Sequence, residues 1–65
     1  MKLIVNGQAK EVEPGTTVRQ VIEAARLSPE KVAIELNRRL LKTERYDTIL
    51  NEGDEIEIVT FVGGG

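Results

Sequence analysis

Lys2-Leu3-Ile4-Val5-Asn6-Gly7-Gln8-Ala9-Lys10-Glu11-Val12, followed by Pro14-Gly15-Thr16-Thr17-Val18, is the stretch on which the fold turns. Its start, Lys2 to Val5, reads as a strand. Asn6-Gly7 is the strongest short-range hairpin signal, because a type I′ turn needs positive φ at both central residues. Gln8 to Val12 is then the returning strand. Pro14-Gly15 punctuates the chain. Thr17-Val18-Arg19-Gln20 fits a capping box: the Thr17 hydroxyl accepts from the Gln20 amide, and the Gln20 side chain reaches back. Val18, Val21, Ile22 and Ala25 follow at the spacing of one helical stripe. This predicts a helix from Val18 to Arg26 that packs its stripe on a sheet.

Downstream, Ser28-Pro29 ends the helix, with one 3₁₀ turn between Ser28 and Lys31. Val32 to Leu36 alternates, placing Val32, Ile34 and Leu36 on one face. Asn37-Arg38-Arg39 turns the chain, and Leu40-Leu41 makes a short edge strand. Lys42 to Leu50 has no period and reads as a connection, with Tyr46, Ile49 and Leu50 tucked against the core. Asn51-Glu52-Gly53-Asp54 is a turn. Glu55 to Phe61 is the last strand, with Ile56 and Ile58 facing in and Glu57, Val59 and Phe61 facing out. A hairpin, one crossing helix and further strands make an α+β domain with the helix on one sheet face. The domain is expected over residues 1–61, with residues 62–65 as a flexible glycine-rich tail.

Composition narrows the function. The chain has 65 residues, enough for one domain. A domain this small buries only roughly 60% of the surface its unfolded chain exposes. An enclosed substrate cavity of about 300 Å³ or more would consume that core. With one Tyr and one Phe, the core must be aliphatic. Cysteine and histidine are absent, which removes thiolate chemistry, disulfides, the commonest metal ligand and the commonest general base. No catalytic and no metal-ligating residue is assigned, and an enzyme is not expected. The net charge of −2 gives no reason to expect nucleic-acid binding. No apolar run approaches the ~20 residues that span a bilayer, so no membrane role is expected and the cytoplasm is the default location.

In order along the chain, Val5-Asn6-Gly7, Pro14-Gly15-Thr16-Thr17-Val18, Val32-Ala33-Ile34-Glu35-Leu36-Asn37, Gly53-Asp54-Glu55-Ile56-Glu57-Ile58 and Val62-Gly63-Gly64-Gly65 resemble the ThiS family, the sulfur carriers for the thiazole ring of thiamine. The resemblance implies a β-grasp, ubiquitin-like fold: a mixed five-stranded sheet in the order 2-1-5-3-4, with one main helix on one face. It implies that a ThiF-like enzyme adenylates the C-terminal glycine. The adenylate then becomes a thiocarboxylate, with sulfur from a donor such as a cysteine desulfurase system, and a ThiG-like thiazole synthase uses it. Carried onto this chain, the modified residue is Gly65, with Gly64 and Gly63 threading into partner sites. Gly63 departs from members that carry another residue there. No cofactor is expected on the chain itself. ATP would be bound by the activating partner, since no GxxxxGK[ST] loop is present. MoaD, the molybdopterin sulfur carrier, shares the fold and the Gly-Gly end. A molybdopterin or tRNA-thiolation carrier, or a non-catalytic docking module, is the alternative.

The implied strand order also sets the first strand beside the last. Ile4, Val59, Phe61 and the adjoining Val62 then form an expected docking patch leading to the tail, although scattered surface hydrophobics are normal. Arg38, Arg39, Lys42 and Arg45 read first as a solvated basic face. Glu52, Asp54, Glu55 and Glu57 either steer a basic partner or keep a strand soluble. Tyr46 reads as a packed aromatic.

Overall fold

In the computed structural model, which describes residues 1–61, the first hairpin forms on the expected turn. Strands β1 (Lys2–Val5) and β2 (Gln8–Glu11) flank Asn6 and Gly7, at φ 50° and 82°. Helix α1 (Val18–Ala24) begins at the Thr17 cap. The Gln20 amide donates to Thr17 Oγ1 at 3.2 Å, and the Thr17 amide donates to Gln20 Oε1 at 2.9 Å. The helix stops short of Arg26 in a Schellman arrangement. Arg26 takes φ 63° and donates to the Glu23 carbonyl, while Leu27 donates to that of Ile22. A 3₁₀ turn (Pro29–Lys31) leads into β3 (Val32–Leu36), β4 (Arg39–Leu41) follows, and a second 3₁₀ turn (Thr43–Arg45) precedes β5 (Glu55–Thr60). Val62, Gly63, Gly64 and Gly65, expected to form the tail, lie outside the described residues.

The sheet order is β2-β1-β5-β3-β4, with β1 and β5 parallel and the other neighbours antiparallel. This is the β-grasp order. It places the last strand at the centre, between β1 and β3. Leu3, Val18, Ile22, Val32, Ile34, Tyr46, Leu50 and Ile56 form the buried core between sheet and helix. Each fully buried aliphatic side chain contributes about 1.5–3 kcal/mol. The Tyr46 hydroxyl donates to the Val32 carbonyl at 3.4 Å, so the one large polar-tipped side chain of the core is satisfied. Of the helical stripe, Val18 and Ile22 are buried and Val21 is half-buried. Ala25, the C-cap residue, is exposed because the helix has already ended.

The long connection is tied down by backbone. Val18 and Arg19 donate to the Thr48 and Tyr46 carbonyls, and Leu50 donates to that of Thr16. Arg19 Nε meets Asp47 Oδ1 at 2.9 Å, a charged hydrogen bond that raises the guanidinium pKa. Tyr46 and Leu50 are buried as expected, but Ile49 is 60% exposed. Ile49 sits in an isolated antiparallel bridge with Thr17, and the extended backbone there alternates its side chains, sending Leu50 inward and Ile49 outward.

Candidate functional site

Because α1 covers one sheet face, the other face is open, and its pattern follows from strand register. On β5, Ile56 is buried and Ile58 half-buried, while Glu57, Val59 and, just past the strand, Phe61 are exposed. Val59 stands opposite Ala33. Phe61 donates its amide to the Lys31 carbonyl at 3.2 Å, which continues the β3–β5 pairing to the last described residue. Val59 and Phe61 are 55% and 65% exposed, unusual for residues of this size on a central strand.

Ile4 does not join them. It pairs with Glu55, four residues before Val59, so the two positions are separated by about 13 Å along the strand direction. The single Ile4–Val59–Phe61 patch expected from neighbouring strands is therefore split by register, with Glu57 between. The side chain that approaches from the other direction is Leu40, 70% exposed. It lies opposite Glu35 and diagonal to Ala33. Treating Arg39 as a turn residue hid this. The turn is the two-residue Asn37-Arg38, which starts β4 one position earlier and turns Leu40 to the open face.

Carboxylates occupy the middle of that face. Glu35 and Glu57 are direct partners across β3 and β5, and Glu55 follows on the same side. Like charges opposite one another disfavour folding. Among the described residues neither Glu35 nor Glu57 has an ion-pair partner, and Glu55 has Arg38, whose Nε lies 3.9 Å from Glu55 Oε1 in an exposed pair of little energetic weight. Asp54 is turned to structural use: it accepts from the Asn51 amide at 2.8 Å and from Asn37 Nδ2 at 3.0 Å. Glu52 accepts from the Lys2 amide at 2.9 Å. Of the four acids singled out in sequence, Glu55 and Glu57 thus belong to the open face, and the other two brace loops.

The exit of β5 is held by Asn6. Its Oδ1 accepts from the Ile58 amide at 2.7 Å, and its Nδ2 reaches the Ile58 carbonyl at 3.5 Å. The backbone of β1 has already turned away at this point. The Asn6 side chain therefore takes the place of one more strand residue and fixes β5 just before Val59. No sequence signal marks this role, because the turn alone accounts for an asparagine there.

Among the described residues, no cluster of acidic side chains is arranged to hold a metal ion, and no helix is long and apolar enough to cross a membrane. The site offers an apolar and acidic surface and a fixed strand exit leading toward residues 62–65. Chemically, such a surface can dock a partner and present the residues that follow it.

The sequence pattern of the ThiS family matches residues 3–65. The chain belongs to the ThiS family. The match includes Gly63, Gly64 and Gly65. A solved structure of the thiamine biosynthesis protein ThiS from Geobacter metallireducens is 33% identical, with a TM-score of 0.81 and full coverage of both chains. A ubiquitin-like protein from Caldiarchaeum subterraneum matches at 22% identity and a TM-score of 0.50 over 97% of this chain and 96% of that one, a likeness of fold alone. A thiazole synthase from Magnetococcus marinus is 39% identical over the whole of this chain, which spans only 20% of that protein's length. This chain thus resembles both a separate small protein and one segment of a larger one.

Proposed function

We propose that this chain is a sulfur carrier for thiazole formation in thiamine biosynthesis, acting through a carboxylate at Gly65 and performing no catalysis itself. The observation that carries this reading is the family match, which runs through the glycines to residue 65. The Geobacter ThiS likeness over full length supports the thiamine branch over the molybdopterin branch.

The chemistry explains the design. A carboxylate is a poor electrophile. An oxygen of the Gly65 carboxylate attacks the α-phosphorus of ATP held on a ThiF-like enzyme, and pyrophosphate leaves. The resulting acyl adenylate has AMP as a good leaving group. Hydrosulfide, released by a thiol reductant from the persulfide of a cysteine desulfurase system, adds to the carbonyl, AMP departs and the S–H proton is lost, so that a thiocarboxylate remains for transfer. Gly63, Gly64 and Gly65 lack Cβ atoms, so this segment can enter a narrow passage in backbone conformations closed to other residues. The segment of a thiazole synthase that resembles this chain supports a ThiG-like synthase as the receiving partner. On this reading Val59 and Phe61 dock the enzymes, while Ile4 belongs to a separate part of the face.

The test is intact-mass analysis of the protein purified from its own cells, with fragmentation across the C-terminus. The expected result is a fraction in which sulfur replaces one oxygen, localised to Gly65. A chain that never carries sulfur there, and that gives no ATP–pyrophosphate exchange with a ThiF-like enzyme, refutes the proposal. A docking module then becomes the better reading. Appending one alanine after Gly65 separates the two. A carrier loses pyrophosphate release while retaining affinity, because the extra residue displaces the carboxylate by up to roughly 3.6 Å.

A further inference from the structure

The two hairpins form an internal comparison. Both use two-residue turns with positive φ at both central positions: Asn6-Gly7 in the first, Asn37-Arg38 in the second. Glycine takes this conformation without strain, whereas an L-residue with a long side chain does not. Arg38 holds φ 70° with its side chain 88% exposed, and its one ion pair, with Glu55, is long at 3.9 Å. The fold gains little from an arginine at this point.

Arg38 does not stand alone. Arg39, Lys42 and Arg45 line a shallow groove of about 680 Å³ whose apolar part is Leu36, Leu40 and Leu41. These three cations make no ion pair or side-chain hydrogen bond among the described residues, although the chain has 11 acidic residues to 9 basic ones. Of the nearby carboxylates, Glu35 lies opposite Leu40 on the open face, outside the groove lining. Asp47 is held by Arg19, Glu55 faces Arg38, and Glu44 is the only acid lining the groove.

We propose that this β4 edge, built from Arg38, Arg39, Lys42 and Arg45 around Leu40, is a docking surface for a carboxylate-rich surface of an enzyme that handles the carrier. The proposal rests on the carrier reading for the identity of that enzyme. Charge complementarity selects the partner: unpaired cations bordering an exposed leucine suit an acidic protein surface with an apolar contact. A nucleic acid is disfavoured, because Glu35 lies on the adjacent strand opposite Leu40, Glu57 pairs with it one strand further in, and the chain as a whole is negative. The edge is distinct from the end of β5 where Val59 and Phe61 lie. One partner can therefore be held at two points, which sets its orientation as well as its affinity.

The experiment measures affinity for the ThiF-like enzyme and the thiazole synthase of the same organism by calorimetry, at about 50 mM and about 500 mM NaCl. The full chain is compared with a combined Arg39→Glu, Lys42→Glu, Arg45→Glu variant, with a milder Lys42→Ala, Arg45→Ala variant, and with Arg38→Gly. Arg26→Gly serves as a control, since Arg26 also has positive φ (63°) but lies at the end of α1. For at least one enzyme, the charge-reversed chain is expected to lose about tenfold or more in affinity at low salt, with a smaller deficit at high salt. In both glycine variants the relief at the positive-φ position is offset by the added freedom of glycine in the unfolded chain, so both should melt within about 4 °C of the parent, but only Arg38→Gly should bind more weakly. Wild-type affinity of the charge variants for both enzymes, a deficit that salt does not reduce, or an Arg38→Gly chain that binds normally would each overturn the proposal. Displacement of the enzyme by an oligothymidylate would overturn it in favour of nucleic acid. If the unaltered chain binds neither enzyme, the carrier reading fails and this inference falls with it; if it binds and the edge variants bind equally, the edge alone is refuted.

Discussion

Replacing Asn6 by glycine isolates the side-chain bonds that hold the end of β5. Asn6 has φ 50°, which glycine adopts freely, so the turn itself is not strained by the exchange. What is lost is the 2.7 Å bond from the Ile58 amide and the longer 3.5 Å bond to its carbonyl. A net hydrogen bond contributes about 0.5–1.5 kcal/mol, and the longer one belongs at the low end. The added freedom of glycine in the unfolded chain costs a further 0.4–1 kcal/mol or so. The expected loss is therefore about 1.5–3 kcal/mol, or roughly 6–24 °C in melting temperature for a domain this small. Asn6→Asp keeps the short acceptor and loses the donor, and should fall between. Urea unfolding with an unchanged m-value measures the loss. Amide exchange then locates it: Ile58 should lose protection while amides bonded across the β3–β5 ladder keep theirs. A glycine variant within about 0.5 kcal/mol of the parent, or an Ile58 amide still protected, would show that Asn6 does not anchor the strand.

Thr17→Ala removes the side-chain acceptor of the capping box and should cost about 1 kcal/mol in urea unfolding. Tyr46→Phe removes only the 3.4 Å bond to Val32 and should cost at most about 1 kcal/mol. Tyr46→Ala opens the core and should cost about 3–5 kcal/mol, so near-equal effects of the two would refute the packed-aromatic role. Phe61→Asp should leave the melting curve within about 0.5 kcal/mol of the parent, while calorimetry shows about tenfold or greater loss of affinity for the ThiF-like enzyme; normal binding would remove Phe61 from the docking surface.

What was legible in the sequence was local chemistry. Asn6-Gly7 reports the first turn, Thr17 and Gln20 report the helix start, and alternation in Val32–Leu36 and Glu55–Phe61 reports which side chains face inward. The strand order came from the family resemblance, because pairing between β1 and β5 joins residues about fifty positions apart and leaves no periodic mark. That distant register is also what separated Ile4 from Val59. The second turn was expected to be one residue longer than it is: its two central positions take positive φ, which favours glycine, and Asn37-Arg38 lacks the Asn-Gly signal that marks the first turn. Ile49 was misplaced because its orientation depends on one bridge to Thr17 within a segment that has no alternation to read.

The topology gives these details a common purpose. On the proposed carrier reading the reacting group lies beyond the last strand, and that strand must be held firmly while a partner reaches the residues that follow it. Placing β5 at the centre of the sheet provides the hold, since β1 and β3 bond it from both sides. The two supports end at different points. Pairing with β1 ends at Val5 and is extended by the Asn6 side chain as far as Ile58, whereas pairing with β3 continues to Thr60 and the Phe61 amide. Among the described residues, the β1 side of Thr60 is thus unpaired while its β3 side is still occupied. A partner approaching the residues beyond Phe61 meets one free strand edge, with Val59 and Phe61 on the open face beside it. This asymmetry gives the approach a direction, and it explains why a single asparagine in a distant turn is expected to influence how the end of the last strand is presented.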